Sequence, residues 1–364
     1  MKAKKYGAQV IAITPMYRAA MVNTIWTEKK ISIKKKWLVF LFNVFEITFR
    51  KYEADNYSSV HIVGGKAELR TRNFLGTEDL YYGLTFNSFG EFHNQKSHIS
   101  FIKRWDRLLV FSKAVFSYHM VKREGGCLAY WLDFCLWNEY LMTQRPETLV
   151  SNGHYDRLTT ALSELCRLYS IDFQMKQHGL LTEQYIPPHK IYCNKVYAYD
   201  ETQADIFRRI IVSNIECDYE MWYDSGIRFT NKEFPRYSIG IIECRSDVIL
   251  EIYDILANVD KYGETGTDVY VMLHPLNNEE DYAELVRGCK ANVVFTRDKY
   301  MDYDVIVATP STLTYDYIRA GYDKKIILAD FGNRLQGTFD AYHNVLYVDT
   351  TAKLEKEMIE VLSI

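Results

Sequence analysis

Residues that build loops and linkers are scarce in this sequence. Its 364 residues include only 7 prolines and 18 glycines, too few for a long flexible linker or a collagen-like fibre. With 48% apolar and 25% charged residues, the composition is that of a folded globular protein and excludes a disordered chain or a coiled coil. At about 150 residues per domain, the length predicts two domains.

Paired cysteines and long apolar runs are also missing. The 7 cysteines lie far apart and none belongs to a C-x-x-C pair, which argues against a disulfide framework and a structural zinc site and favours a reducing compartment. No N-terminal signal peptide is recognisable. The apolar segment 37–49 has 13 residues, whereas a membrane-spanning helix needs about 20. We therefore expect a cytoplasmic protein.

Three nucleotide and hydrolase motifs are absent as well. No G-x-G-x-x-G follows a predicted strand, the segment 63–66 lacks the spacing of a P-loop, and there is no G-x-S-x-G. These absences argue against a dinucleotide cofactor, a P-loop NTPase and an α/β-hydrolase.

Charge is distributed unevenly along the chain. Residues 1–53 contain nine lysines and two arginines against three glutamates, a net charge of +8 in a chain whose total is −3. Because basic residues flank the apolar segment, residues 30–51 fit either a buried helix or strand or a peripheral contact with an anionic membrane surface. No basic stripe extends past residue 53, so we expect no nucleic-acid partner.

Short apolar segments alternate with helical ones through most of the chain. Strands are predicted at 148–152, 173–176, 195–199, 237–244, 268–273, 292–295, 304–308, 325–329 and 344–348, and helices at 100–142 (broken near 125–126), 154–169, 201–212, 248–259, 279–288, 312–320 and 352–362. This alternation predicts an α/β fold with parallel sheets and helices on both faces. Residues 1–95 show no clear pattern, and we expect a domain boundary within 218–236.

Polar residues follow three predicted strands of the second half, where open parallel sheets bind their ligands. Such residues together favour a nucleotide phosphate site, and the candidates for it are Arg245, Ser246, His274, Pro275, Ser311, Thr312 and Asp316. Ser311 and Thr312 begin a helix whose N–H groups and dipole can bind an anion, but taken alone they are better explained by helix capping, which needs no ligand.

The other candidates for this site each have a structural alternative. Arg245 could pair with a phosphate or be an ordinary surface arginine. His274 could donate to a phosphate or a nucleoside, or be a satisfied edge histidine. Asp316 could accept hydrogen bonds from ribose hydroxyls, or lie exposed on its helix.

The first half has two similar clusters. Gln177, His178 and Gly179 follow a predicted strand, and His178 is a candidate general base because an unperturbed histidine titrates near neutral pH. His154 and Asp156 follow another strand and are reserve acid–base groups. Alternatively, both clusters are ordinary turns.

Three short motifs resemble those of a known group of enzymes. They are the Gln-His-Gly of residues 177–179, the His-Pro of residues 274–275 and the Ser-Thr of residues 311–312. Together they resemble bacterial surface-carbohydrate enzymes of GT-B architecture: CDP-glycerol glycerophosphotransferases, sialyltransferases and capsule Kdo transferases. The resemblance implies two Rossmann-like domains facing across a cleft. It places His274 on the nucleotide, Ser311 and Thr312 on its phosphate, and His178 as the catalytic base.

The resemblance also implies a function. We expect a metal-independent glycosyltransferase without a cofactor, which moves a sugar from a CMP- or CDP-linked donor to a glycan or lipid-linked glycan in capsule or lipopolysaccharide synthesis. Residues 1–225 would bind the acceptor, 226–350 the donor, and 351–364 would form a C-terminal helix. The alternatives are a polyol-phosphate transferase of the CDP-glycerol type, a UDP-sugar 2-epimerase and a degenerate carbohydrate-binding subunit.

Overall fold

The chain folds into two α/β units. The computed structural model describes residues 13–20, 40–41, 44–45, 47–54, 57–63, 80–83, 98–122, 128–154, 156–177, 179–181, 186–222, 229, 234, 236–242, 248–257, 267–273, 279–287, 292–298, 300–309, 311–331, 339 and 342–362. Contacts between residues divide the chain into a first unit of residues 1–178 and 185–223 and a second unit of residues 179–184 and 224–364.

The first unit is built on a six-stranded parallel sheet. Its strands are β1 (Ser59–Val63), β2 (Leu80–Gly83), β3 (Thr148–Ser151), β4 (Asp172–Lys176), β5 (Lys195–Ala198) and β6 (Asp218–Met221). The strand order is β2-β1-β3-β4-β5-β6, and every pair is parallel.

After residue 100 the α-helices of the first unit are α1 (Arg104–Ser117), α2 (Leu128–Gln144), α3 (Arg157–Tyr169) and α4 (Glu201–Ile206), which continues as a π-helical turn (Phe207–Ile211). Residues 13–20, 40–41, 44–45 and 47–49 are helical as well. Helix α2 is buried around most of its circumference, with Trp131 and Trp137 at its centre. A helix that is apolar on all sides belongs in a core, and α2 forms much of the core of this unit.

The second unit has its own six-stranded parallel sheet. Its strands are β7 (Tyr237–Ile242), β8 (Thr267–Met272), β9 (Asn292–Thr296), β10 (Val305–Ala308), β11 (Lys325–Ala329) and β12 (Val345–Val348). The order is β9-β8-β7-β10-β11-β12. Counted from β7 this is 3-2-1-4-5-6, the strand order of the Rossmann fold.

The helices of the second unit are α5 (Val248–Ala257), α6 (Ala283–Arg287), α7 (Thr312–Arg319) and α8 (Thr351–Leu362). Strand β10 consists only of Val, Ile and Ala, because both faces of the sheet are covered. Leu354 and Met358 of α8 pack in the same core as Ile239 and Val307 of the sheet. Gly321, which follows α7, has a φ of 84°, the left-handed conformation that glycine adopts at a helix end.

Three strands were not predicted, and one predicted helix differs. Strand β6 was missed because an edge strand with mostly exposed residues has no apolar signal. It lies within 218–236, and the chain passes from the first unit to the second in the same range, between residues 223 and 224. The helix expected over 201–212 changes to a π-helical turn at Phe207. Strands β1 and β2 belong to the stretch without a clear pattern. No helix among the described residues has the length and hydropathy needed to cross a bilayer.

Candidate functional site

The strand order of the second sheet reverses between β7 and β10. Doubly wound sheets bind their ligands at this point, beyond the carboxyl ends of the strands. Ala308 of β10 pairs with Ile242 of β7, and Ile242 pairs in turn with Met272 of β8. The segments that follow these three strands therefore start side by side. They are the segments in which the sequence places all the donor-binding candidates except Asp316.

Hydroxyl groups tie the strand ends to helix α7. The amide and the hydroxyl of Thr309 both donate to the Ile242 carbonyl, at 3.4 and 3.3 Å. The Thr314 hydroxyl donates to the Thr309 carbonyl at 3.1 Å, and both threonines are fully buried. The first turn of α7 is thereby fixed against the ends of β7 and β10.

Ser311 is the N-cap of α7. Its backbone is extended and its Oγ accepts the Thr314 amide at 3.2 Å, so the capping role is observed. Thr312 is the first residue of the helix. The first amides of a helix have no partner within the helix and lie at the positive end of its dipole. This turn can therefore bind an anion, and the phosphate role of Ser311 and Thr312 stays a prediction.

Asp316 is fully buried, so the expectation that as a structural residue it would lie exposed on its helix is wrong. Its Oδ2 accepts the Tyr300 hydroxyl at 3.2 Å. Tyr300 has a φ of 62°, a left-handed conformation that is unfavourable for a bulky residue. The carboxylate thus helps to hold the loop before β10, and its proposed contact with a ribose remains a prediction.

Four donor candidates lie outside the described residues: Arg245, Ser246, His274 and Pro275. The sequence alone places Arg245 three residues after β7 and His274 two residues after β8. Those two strands are neighbours in the sheet. The prediction that these residues share one edge with Ser311 is consistent with the strand order.

Gln177 follows β4 in the first unit and is held by three hydrogen bonds. Its amide Nε2 donates to Gln203 Oε1 at 2.6 Å, its Oε1 accepts the Tyr199 amide at 2.8 Å, and its own amide donates to the Tyr197 carbonyl at 2.9 Å. These bonds fix the backbone immediately before His178, which itself lies outside the described residues. Gly179, the residue after it, is half-buried.

The reserve acid–base pair has structural contacts. Asp156 caps α3: its Oδ1 accepts the amides of Leu158 and Thr159, at 2.9 and 3.0 Å, and its Oδ2 accepts the Thr159 hydroxyl at 2.8 Å. His154 is buried and packs edge-on against Phe207, with ring centroids 5.4 Å apart. Both oxygens of Asp156 are therefore engaged in the cap, and the catalytic role of either residue stays a prediction.

Two features of these strand ends were not predicted as site residues. Thr309 links β7 and β10, as described above. Lys176, the last residue of β4, is 1% exposed, and its Nζ lies 3.7 Å from the centroid of the Trp222 ring, a cation–π contact. The sequence shows a lysine at the end of a predicted strand, but it does not show that this lysine contacts a tryptophan 46 positions later.

Metal ligands do not come together in the described part of the chain: no three His, Cys, Asp or Glu side chains there form a group that could hold an ion. The expectation that the reaction needs no metal and no cofactor is not tested by this finding.

Comparisons with known proteins identify the fold. No family model and no curated protein sequence matches the chain. The solved structures that resemble it include the lipopolysaccharide outer core galactosyltransferase WaaB (TM-score 0.50, 10% identity, 84% of this chain and 90% of that one). A putative UDP-N-acetylglucosamine 2-epimerase from Listeria monocytogenes is similar, with a TM-score of 0.50 and 9% identity over 85% of this chain and 89% of that one. Anabaena HepE in complex with UDP and glucose has a TM-score of 0.50 and 10% identity over 83% of this chain and 89% of that one.

These likenesses establish the fold class alone, because the identities are near 10%. The chain has the GT-B fold, with two Rossmann-like α/β domains. This confirms the fold class that the sequence predicts.

Proposed function

We propose that the chain is a GT-B glycosyltransferase that moves a sugar from a nucleotide-activated donor to a glycan acceptor. One observation carries the proposal: the first turn of α7, capped by Ser311, lies where the strand order of a Rossmann sheet reverses. Nucleotides bind doubly wound sheets at this place. The likeness to a galactosyltransferase and to a protein holding UDP and glucose supports it.

The second unit would bind the donor. The α7 amides with Ser311 and Thr312 would contact the phosphate, joined by Arg245 and Ser246 after β7 and by His274 and Pro275 after β8. The N–H and O–H groups of these residues would stabilise the negative charge that grows on the departing phosphate. If they neutralise it, neither a metal nor a cofactor is needed. Pro275 has no N–H, so its role would be to position His274. Asp316 would act from within α7, close to the ribose.

The first unit would bind the acceptor. His178 would accept the proton of the acceptor hydroxyl as it attacks the sugar. The three hydrogen bonds of Gln177 hold the chain just before it, so the base would stand on a rigid strand end, with Gly179 allowing close approach of the acceptor. His154 and Asp156 are the reserve groups.

The finer proposals concern the donor and the pathway. The His-Pro and Ser-Thr motifs favour a CMP- or CDP-linked donor, whereas HepE binds UDP. The acceptor would be a glycan or lipid-linked glycan of capsule or lipopolysaccharide, reached at the cytoplasmic face of the inner membrane through residues 30–51.

A thermal-shift panel of CMP, CDP, UDP and GDP tests the proposal. A nucleotide at 100 times its Kd stabilises the native state by about 2.7 kcal/mol, so a true donor nucleotide should raise the unfolding temperature and the others should not. Absence of a shift with every nucleotide contradicts the proposal and favours a degenerate carbohydrate-binding subunit.

The second candidate is a UDP-sugar 2-epimerase, which the likeness to the Listeria protein favours. The two activities separate without an acceptor. A transferase leaves the sugar unchanged and releases nucleotide only when acceptor is added, whereas an epimerase alters the sugar or releases UDP alone. Proton NMR of the donor sugar distinguishes these outcomes directly. CDP-glycerol as donor tests the polyol-phosphate alternative in the same assay.

A further inference from the structure

Helix α1 of the first unit exposes a row of large apolar side chains. Trp105 is 78% exposed, Leu109 46% and Phe116 80%. Their spacing of four and seven residues places them on one face of the helix. The opposite face is buried, with Val110 and Ala114 among its residues. An apolar face of this size on a helix that already has a buried side indicates a binding surface.

A second helical segment beside α1 has the same property. Residues 40–41, 44–45 and 47–49 are helical, and Leu41, Phe45 and Phe49, spaced by four, are 57%, 58% and 70% exposed. The buried-helix interpretation of this segment therefore accounts for Ile47, which is 2% exposed, but not for these three.

The two helical segments are in contact. The rings of Phe40 and Phe111 have centroids 6.5 Å apart. Arg107 Nη1 donates to the Arg50 carbonyl at 2.6 Å, which fixes the end of the first segment to α1. The six exposed side chains, from Leu41, Phe45, Phe49, Trp105, Leu109 and Phe116, thus belong to neighbouring helices. We call them the aromatic face.

Cations lie on or next to the same helical segments as the aromatic face. Lys103 and Arg104 are exposed at the start of α1, Lys51 is exposed just after the other segment, and Lys113 is half-buried on α1. Asp106 is an acid on the same helix, but residues 1–53 as a whole carry +8. Positive charge around exposed Trp and Phe is typical of helices that lie in the interface of an anionic bilayer.

We propose that the aromatic face docks on an anionic phospholipid bilayer, with Trp105, Phe116 and Phe49 inserted among the headgroups. Trp favours this depth, since its ring is apolar and its N–H remains hydrated. A second copy of the chain fits less well, because a symmetric contact would bring the same cations together. The inference extends the membrane contact proposed for residues 30–51 to α1, and it does not depend on the transfer reaction.

Vesicle sedimentation tests the proposal without nucleotide or acceptor, so its outcome is independent of the proposed activity. The probes are vesicles of phosphatidylcholine alone or mixed with phosphatidylglycerol. We expect the wild-type chain to bind the mixed vesicles and to be released by salt. The double variant Trp105→Glu, Phe116→Glu should bind at least about tenfold more weakly. Ile215→Glu, a change at a fully exposed apolar residue of the same unit, should bind like wild type.

Three results would overturn the proposal. The first is wild-type protein that does not bind mixed vesicles, and the second is a double variant that binds them as well as wild type does. The third is a wild-type dimer in sedimentation velocity that becomes a monomer in the double variant, since the face would then be an interface between copies. Tryptophan fluorescence tests insertion at Trp105 itself. Brominated lipids should quench the tryptophan emission of the wild-type chain, and they should quench that of Trp105→Phe less. Equal quenching of both proteins would contradict insertion at Trp105.

Discussion

The Thr309 hydroxyl donates to the Ile242 carbonyl at 3.3 Å. This bond joins the carboxyl ends of β10 and β7 at the point where the strand order of the second sheet reverses. The two strands are 66 positions apart in the sequence at their paired ends, Ala308 and Ile242. The proposed donor site therefore lies where two strand ends meet, and buried side-chain hydrogen bonds stabilise this place.

Thr309→Val should lower the stability of the second unit by about 1 kcal/mol, since it removes one buried hydrogen bond with little change of shape. Thr296→Val, at the end of edge strand β9, loses only a contact with an exposed amide and should cost less. Thermal unfolding of both variants checks this. An equal effect of the two substitutions would show that the Thr309 bond has no special role.

His178→Ala should reduce turnover at least about 100-fold, the usual contribution of a general base, while nucleotide affinity stays within about twofold of wild type. His189→Ala is the matched control in the same unit, because His189 is a half-buried histidine that pairs with Glu164 at 3.1 Å and has no proposed role in the reaction. Steady-state kinetics and calorimetry give the two quantities. Loss of nucleotide affinity instead would remove His178 from the role of base.

Gly240→Ala should destabilise the second unit by about 1–3 kcal/mol, the usual range for overpacking. A Cβ at this position would lie 2.3 Å from Cδ2 of Tyr303. Denaturant unfolding measures the loss. In a Tyr303→Ala background the same substitution should cost much less, and an unchanged cost would mean that the ring is not the obstacle.

His98 makes the first unit sensitive to acid. Burial, with a smaller contribution from the charge of Arg50, lowers the pKa of His98 to about 3. Below its unfolded pKa of 6.5 the unfolded chain binds a proton that the native state does not, so stability falls as the pH falls. Between pH 6.5 and 5 the loss is about 2 kcal/mol.

His98→Phe should remove this sensitivity and keep the stacking on Trp137, whose ring centroid is 3.9 Å from that of His98. Unfolding midpoints from pH 7.5 to 5 provide the measurement. Parallel pH profiles for wild type and variant would contradict the assignment.

The sequence predicts the sheets where burial leaves a pattern. Strands β7 and β10 are rich in Ile and Val, with Ile-Gly-Ile-Ile at the end of β7 and Val-Ile-Val-Ala in β10, because both faces of the sheet are covered. Strand β6 gave no such signal, since most of its residues are exposed at the sheet edge. The order of strands in the second sheet follows from no local pattern, yet it decides which strand ends are neighbours.

Side-chain surroundings were harder to predict than elements. Nothing near Asp316 in the sequence indicates that Tyr300 would cover it. In α1, apolar residues occur around the whole helix, so the sequence could not show that Trp105 and Phe116 face outward while Val110 faces the core. Both features depend on neighbours distant in the sequence.

Calorimetric titration of Ser311 variants tests the central claim most directly. Ser311→Asp keeps a good N-cap and suits the helix dipole, but places a negative charge where the phosphate would bind. Ser311→Ala loses the cap, at a cost of about 1 kcal/mol in stability. We predict that Ser311→Asp is as stable as wild type and loses at least about tenfold in nucleotide affinity. Nucleotide binding that is unchanged in Ser311→Asp would contradict a phosphate site at the start of α7.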